Sequence, residues 1–208
     1  MTTKAGDAAG RGAGNPATDS SGVPFDAALH RARPGTAFLG LDGHRVDDFW
    51  AWAYDNVMTN TNRGVLAEYL VAAALGTLGA PRVEWDAADL RYGDKLVEVK
   101  ATAYLQSWSQ PQLSKLRFSI APHLPDLAVA RLPQVVGRPA HCYVFCLFGP
   151  KEHVGANPLD VTTWHFYAVA TARLPDHHSL GLTALERLAD AVPFDSLRAA
   201  VDKELGLS

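Results

Sequence analysis

The stretch that decides the fold is residues 85–110, which read WDAADLRYGDKLVEVKATAYLQSWSQ. Gly93 and Asp94 predict a two-residue hairpin loop, because glycine at the first central position accepts the positive φ of a type II′ turn. Counting outward places Asp89 opposite Glu98, and side chains so opposed have Cβ atoms about 4.5–5.5 Å apart. The hairpin therefore predicts two carboxylates side by side on one face of a sheet. The pairs between them and the loop are Tyr92 with Lys95, Arg91 with Leu96, and Leu90 with Val97.

A lysine joins the two acids on the same face. Lys100 follows Glu98 by two residues, and side chains along a strand alternate with a period of two. Val97 and Val99 point to the opposite face and define the apolar side of the strand. Two acids and a lysine that converge on one spot of a sheet make a site for a divalent metal and a reacting phosphate. Further upstream, Glu68 lies within an otherwise apolar helix, where an acid is unusual without a partner.

The alternative interpretation is a solvated hairpin in which Lys100 pairs with Glu98 or Asp89. Such surface pairs are common and contribute little to stability. Carboxylates placed directly opposite each other are destabilising, however, and a bound cation would remove that penalty. For Glu68 the alternative is an ion pair with Arg63 or Arg82.

Composition and charge limit the classes of protein to which this chain can belong. The chain has 208 residues, 48% of them apolar, which suits one soluble globular domain. No apolar run reaches the roughly 18–20 residues that span a bilayer, so we expect a cytoplasmic protein without membrane contact. The formal net charge of −3 means that any nucleic-acid contact must come from a local patch. Residues 1–24 lack large apolar side chains and predict a disordered tail, and residues 25–208 predict a single domain.

The remaining pattern predicts an α/β fold with a mixed sheet. Cys142 and Cys146 lie at an i, i+4 spacing in one predicted strand and are too far apart to bridge, so both are expected to be core thiols. No Gly-rich phosphate loop and no zinc-binding spacing of histidines occurs. The predicted helices cover residues 47–58, 63–78, 179–191 and 194–205, and further strands cover residues 141–148 and 162–171.

The hairpin resembles the signature of the PD-(D/E)XK superfamily of restriction-endonuclease-like nucleases. The match consists of Asp89, the Glu98-Val99-Lys100 triplet and Glu68 on the preceding helix, and it extends over about residues 63–170. The run from Glu98 to residue 110, together with residues 157–167, is similar to an uncharacterised bacterial subset of that superfamily. One departure is Ala88, which stands where the family pattern has proline.

The resemblance implies a metal-dependent phosphodiester hydrolase that acts on DNA. Asp89, Glu98 and the Val99 carbonyl would bind Mg²⁺, a hard ion that prefers oxygen ligands, and Mn²⁺ is expected to substitute. Lys100 would orient the attacking water or stabilise the scissile phosphate. Glu68 would complete the acid shell, directly or through water. The expected biological setting is restriction or defence against foreign DNA.

Four residues after the predicted site are expected to contact nucleic acid. Gln106 and Gln110 would reach a backbone or base edge, and Lys115 and Arg117 would contact phosphates. Trp108 would pack against DNA or, alternatively, anchor its loop to the core. The two basic residues would otherwise be solvated surface charges.

Three rival functions remain open at the level of sequence. A repair or recombination nuclease, such as a junction resolvase, would share every site residue and differ in substrate shape. A non-catalytic nucleic-acid-binding module would retain the fold without catalysing a reaction. A structural domain would have the acidic residues of the hairpin without any functional role for them. A homodimer is consistent with the nuclease interpretation, because one site cuts one strand and a duplex has two. A partner subunit or methyltransferase stays open.

Overall fold

The computed structural model describes residues 32–79, 88–122 and 137–207. The chain divides into two compact units, Met1–Asp55 and Asn56–Ser208. The predicted domain over residues 25–208 spans both units, and the predicted tail over residues 1–24 lies outside the described residues. The elements are α1 (Val46–Ala53), α2 (Asn60–Leu75), β1 (Leu90–Tyr92), β2 (Lys95–Ala103), β3 (Arg117–Ser119), β4 (Cys142–Phe148), β5 (Trp164–Ala170), β6 (Ser179–Gly181), α3 (Leu182–Leu185) and α4 (Phe194–Leu205).

The described part of the first unit is built around α1. Asp48 accepts a hydrogen bond from the backbone N–H of Arg45 at 2.7 Å and so satisfies one unpaired donor at the helix start. Asp47 accepts from the backbone N–H of Gly35 at 2.6 Å and ties the preceding loop to the helix. The helix ends at Ala53, five residues earlier than the predicted end at residue 58.

The second unit begins with α2, which starts and ends three residues earlier than the pattern predicts. The Thr59 hydroxyl accepts a hydrogen bond from the N–H of Asn62 at 3.3 Å and so caps the helix start. Gly76 then adopts a left-handed conformation with φ of +72° and ends the helix. The helix therefore ends before residue 78, where the pattern predicts its end.

The central sheet confirms the predicted hairpin. β1 and β2 are antiparallel, and Gly93 takes a positive φ of +62° in the loop between them. The register pairs Tyr92 with Lys95 and Leu90 with Val97, as predicted. β2 runs parallel to β4, and β4 runs antiparallel to β5, giving the order β1-β2-β4-β5 among the described residues. The fold is therefore α/β with a mixed sheet.

The two faces of this sheet bury two separate hydrophobic cores. Val97 and Val99 face the first core with α2 and α4, and this core also holds Ala67, Val71, Cys142, Val144, Cys146, Phe148, Leu197 and Val201. Glu98 and Lys100 alternate to the second face, where their register partners are Tyr143 and Phe145. The side chains of Glu98 and Lys100 thus lie on the face opposite to α2.

The C-terminal region differs from its prediction in one element. The helix predicted over residues 179–191 is wrong, because β6 occupies Ser179–Gly181 and only the short α3 follows. β6 pairs with β3, and Leu180 and Phe118 are buried opposite each other. This tertiary pairing overrides local helix propensity. The final helix over residues 194–205 is confirmed as α4. No helix in the described ranges is long and apolar enough to cross a bilayer.

The two thiols are core residues, as predicted. Cys142 and Cys146 are fully buried and form no disulfide. Burial disfavours the thiolate, so it raises the pKa of Cys142 to about 12 and raises the pKa of Cys146 as well. Both groups therefore keep their protons in the folded state at pH values where an exposed thiol loses its proton.

We expect the free energy of unfolding to fall as the solution becomes alkaline. An unfolded thiol titrates near pH 8.5, so above that pH the unfolded chain binds fewer protons than the folded chain and gains stability relative to it. Between about pH 7.5 and 9.5 each thiol is expected to cost about 1.4 kcal/mol of stability. Urea unfolding measured at both pH values tests this, and Cys142→Ala should reduce the fall by about half. A pH-independent free energy of unfolding would contradict the prediction.

Candidate metal and phosphate site

The triplet at the centre of β2 holds a close ion pair. The Nζ atom of Lys100 lies 2.5 Å from Oε1 of Glu98. The side chain of Glu98 is 14% exposed and that of Lys100 is 30% exposed, so the ion pair is partly buried but still accessible to solvent. The strand period of two brings these side chains together, as the sequence predicts.

Asp89 directly precedes β1 in the chain, and its carboxylate lies at the edge of β2. Its Oδ2 atom accepts a hydrogen bond from the backbone N–H of Val99 at 2.7 Å. In an antiparallel ladder the N–H and C=O groups of one residue point to the same neighbouring strand. The Val99 carbonyl is therefore directed toward the edge at which the Asp89 carboxylate lies. Asp89 thus meets the backbone of the triplet.

Each carboxylate of the hairpin has its own donor within the chain. Asp89 accepts from a backbone N–H group, and Glu98 pairs with the ammonium group of Lys100. The repulsion expected between two opposed carboxylates is consequently reduced without a cation. The hairpin therefore needs no cation to offset this repulsion, and a metal is indicated only by the types of ligand that these residues supply.

That donor set has the chemistry of a site for a hard divalent ion. Asp89 and Glu98 supply carboxylate oxygens, and Val99 supplies a backbone carbonyl, which are the ligand types that Mg²⁺ prefers along with water. Glu98 is partly exposed, so an ion has access to it. These residues therefore fit the metal that the family resemblance implies.

Tyr143 is a neighbour of the site that sequence reasoning missed. It pairs with Glu98 in the parallel register between β2 and β4, and it is only 4% exposed. Burial, reinforced by the negative charges of Glu98 and Asp89, raises the pKa of the Tyr143 hydroxyl to about 12. The hydroxyl therefore remains a neutral hydrogen-bond donor at pH 7. No local pattern could reveal it, because the pairing joins strands more than forty residues apart.

Glu68 lies in a different layer from the other predicted site residues. It belongs to α2, next to Ala67, which is fully buried against the face of the sheet opposite to Glu98. Within residues 32–79, 88–122 and 137–207, no group of three His, Cys, Asp or Glu side chains is arranged to hold a metal. α2 thus packs on the face of the sheet opposite to Glu98, and a contribution of Glu68 to the acid shell stays a prediction.

The suggested pairing of Glu68 with Arg63 is not present either. The guanidinium group of Arg63 is buried and hydrogen-bonds to neutral oxygens, including the Met58 carbonyl at 2.7 Å and the Asn60 side chain. Burial lowers its pKa, and its Nε atom is buried without a hydrogen-bond partner among the described residues. The other suggested partner, Arg82, lies outside the described residues.

The two glutamines expected to contact nucleic acid are used inside the protein. Gln106 is 8% exposed, and its amide group donates to the Ser114 hydroxyl at 2.9 Å. The Gln110 side chain accepts from the backbone N–H of Gln106 at 2.7 Å and donates to Ser114 at 3.0 Å. These amides therefore stabilise the loop after β2 through hydrogen bonds within the chain.

The two basic residues expected to contact phosphates are exposed. Lys115 precedes β3, and Arg117 is the first residue of that strand. Arg117 donates a hydrogen bond to the Ser179 hydroxyl at 3.2 Å, which partly orients its side chain. Both positions are compatible with contact to a polyanion.

Comparison with known proteins identifies no relative. No protein-family model matches the chain, and neither curated proteins nor solved structures contain a match. The assignment of a function therefore depends on the geometry and chemistry of the site alone.

Proposed function

We propose that this chain is a Mg²⁺-dependent nuclease of the PD-(D/E)XK type that hydrolyses phosphodiester bonds in DNA. The observation that supports the proposal best is the meeting of Asp89 with the backbone of the Glu98-Val99-Lys100 triplet, through the 2.7 Å hydrogen bond to Val99. That contact brings an acid to the edge of β2, beside the backbone carbonyl and the acid–ammonium pair of the triplet. Few structural roles require all of these groups together.

Each group in this set has a distinct chemical task. Asp89, Glu98 and the Val99 carbonyl would hold Mg²⁺ or Mn²⁺, which when bound acidifies a water ligand and offsets charge on the phosphate. The Lys100 ammonium group supplies a positive charge for the scissile phosphate or orients the attacking water. Glu98 holds that ammonium group in place through their 2.5 Å contact.

Tyr143 supports these groups from the neighbouring strand. It is paired with Glu98 and nearly buried, so it forms part of a wall that excludes water behind the carboxylate. Its hydroxyl stays protonated at neutral pH and adds no negative charge to the site. A low-dielectric wall strengthens the interactions of the charged groups in front of it.

The proposed biological setting is restriction or defence against foreign DNA, with a homodimer cutting both strands of a duplex. A repair or recombination nuclease would use the same residues. The second candidate is a non-catalytic nucleic-acid-binding module. It is favoured by one observation, namely that Asp89 and Glu98 already have hydrogen-bonding partners within the chain.

Metal dependence separates a nuclease from a binding module. Supercoiled and linear DNA are incubated with the protein in Mg²⁺, Mn²⁺ or EDTA, and cleavage is expected with either metal and not in EDTA. Asp89→Asn is the informative variant, because an amide oxygen still accepts the hydrogen bond from Val99 while the negative charge for the metal is lost. We expect Asp89→Asn to lower the cleavage rate by about 100-fold or more.

The control is the exposed Asp94, which pairs with Lys95 at 2.9 Å at the tip of the same hairpin. Asp94→Asn removes a carboxylate from the same hairpin and should leave cleavage unchanged. Cleavage that persists in EDTA, or an Asp89→Asn variant with full activity, would overturn the proposed function. Circular dichroism of both variants verifies that the fold is retained.

A further inference from the structure

The loop that follows β2 is rigidly held and presents an aromatic side chain to solvent. Gln110 closes the loop by accepting from the backbone of Gln106 at 2.7 Å, and Ser114 closes its base by donating its N–H to the Tyr104 carbonyl at 3.0 Å. Trp108 lies midway between the two glutamines and is 56% exposed. Buried amides anchor this loop, so the indole ring is not required as its anchor to the core.

A second aromatic residue and a lysine lie at the base of the loop. The Nζ atom of Lys151 is 4.9 Å from the centre of the Tyr104 ring, which is the distance of a cation–π contact. Tyr104 is partly buried against the second hydrophobic core, which underlies Glu98 and Lys100. Tyr104 follows Lys100 by four residues, or about 13 Å along a strand.

The charge of this region favours an anionic partner. Residues 99–125 contain no aspartate or glutamate, although the whole chain carries a net charge of −3. Lys115 and Arg117 are exposed in the same segment, and Lys151 adds a further positive charge beside Tyr104. Aromatic rings interspersed with cations form the typical surface for unpaired nucleotides, whose bases stack while their phosphates meet the positive charges.

We propose that Trp108, Tyr104 and Lys151 form a stacking surface for single-stranded nucleic acid, adjacent to the proposed nuclease site. The inference rests on the proposed function for its biological meaning and deepens it by naming the substrate class, a duplex that carries an unpaired segment beside the scissile phosphate. Lys100 and Tyr104 lie about 13 Å apart along the strand direction, so the unpaired segment lies close to the proposed site of cleavage.

Binding without cleavage tests the proposal. The affinity of the full chain for a fluorescein-labelled single strand of about 12 nucleotides, and for the duplex of the same sequence, is measured by fluorescence anisotropy in EDTA. Trp108→Ala is expected to weaken binding of the single strand by about 5- to 150-fold, the contribution of one stacked base, and to change duplex binding less than about 2-fold. Trp108→Phe should restore most of the affinity, because a phenyl ring also stacks.

The matched control is Trp52→Ala, which removes another tryptophan, 78% exposed, from the first unit. It should bind the single strand as the unaltered protein does. Equal affinity of Trp108→Ala and the unaltered protein, an equal loss on single strand and duplex, or no binding of nucleic acid at all would overturn the stacking proposal. Because the assay contains no metal, single-strand binding through Trp108 together with an absence of cleavage in Mg²⁺ would refute the nuclease proposal and leave this one standing.

Discussion

Lys100→Ala is expected to reduce metal-dependent DNA cleavage by about 100- to 1,000-fold, the usual effect of removing one preorganised charge from a developing anion. The side chain is 30% exposed and contacts Glu98 at 2.5 Å, so its loss removes a positive charge from the site without opening a core cavity. The loss should appear in the rate of the chemical step, measured by single-turnover cleavage of a labelled duplex in Mg²⁺.

Lys95→Ala is the matched control for this prediction. Lys95 lies on the same strand and also pairs with a neighbouring acid, Asp94, at 2.9 Å. It lies at the hairpin tip, three residues from Glu98 along the chain. Its removal should change the cleavage rate by less than about twofold relative to the unaltered protein, as expected for a surface pair. Equal losses in the two lysine variants would show that general attraction of DNA, and not chemistry at Lys100, accounts for the effect.

Trp164→Ala is expected to lower the free energy of unfolding by about 3–5 kcal/mol. The Trp164 ring is 1% exposed, and its centre lies 5.4 Å from that of Phe148 and 6.4 Å from that of Phe166. Its indole N–H donates to the Pro158 carbonyl at 2.9 Å, so truncation also leaves a buried acceptor without its donor. Urea unfolding followed by circular dichroism measures the change.

Trp108→Ala serves as the control for this measurement, because it removes the same side chain from a position that is 56% exposed. Its effect on the free energy of unfolding should be below about 0.5 kcal/mol, as for surface substitutions in general. A Trp164→Ala variant as stable as the unaltered protein would mean that the aromatic cluster does not form part of the first hydrophobic core.

The sequence predicts those features that depend on local geometry. Gly93 fixes a tight loop, and the alternation of Val97 and Val99 with charged residues fixes which face of β2 is buried. The hairpin register follows from these local rules alone. The contact between Glu98 and Lys100 follows as well, because it depends only on the strand period.

Features that depend on distant parts of the chain escape sequence reasoning. β6 was predicted as the start of a helix because nothing local reveals its pairing with β3, about sixty residues earlier. Tyr143 was missed because its position beside Glu98 depends on the parallel register of β4. The packing of α2 on the face opposite to Glu98 also depends on tertiary contacts, so the sequence alone does not show it.

The short length of β1 bears on whether the edge of β2 can pair with a strand of another molecule. β2 is nine residues long, whereas β1 pairs with only three of them, so the described part of the hairpin protects only one end of that edge. An unprotected strand edge invites a strand from another molecule and leads toward aggregation. By occupying the Val99 N–H with a charged carboxylate, Asp89 blocks the first backbone bond that an incoming chain would form. The same acid that is proposed to bind a metal would thereby also oppose the addition of a strand at this edge.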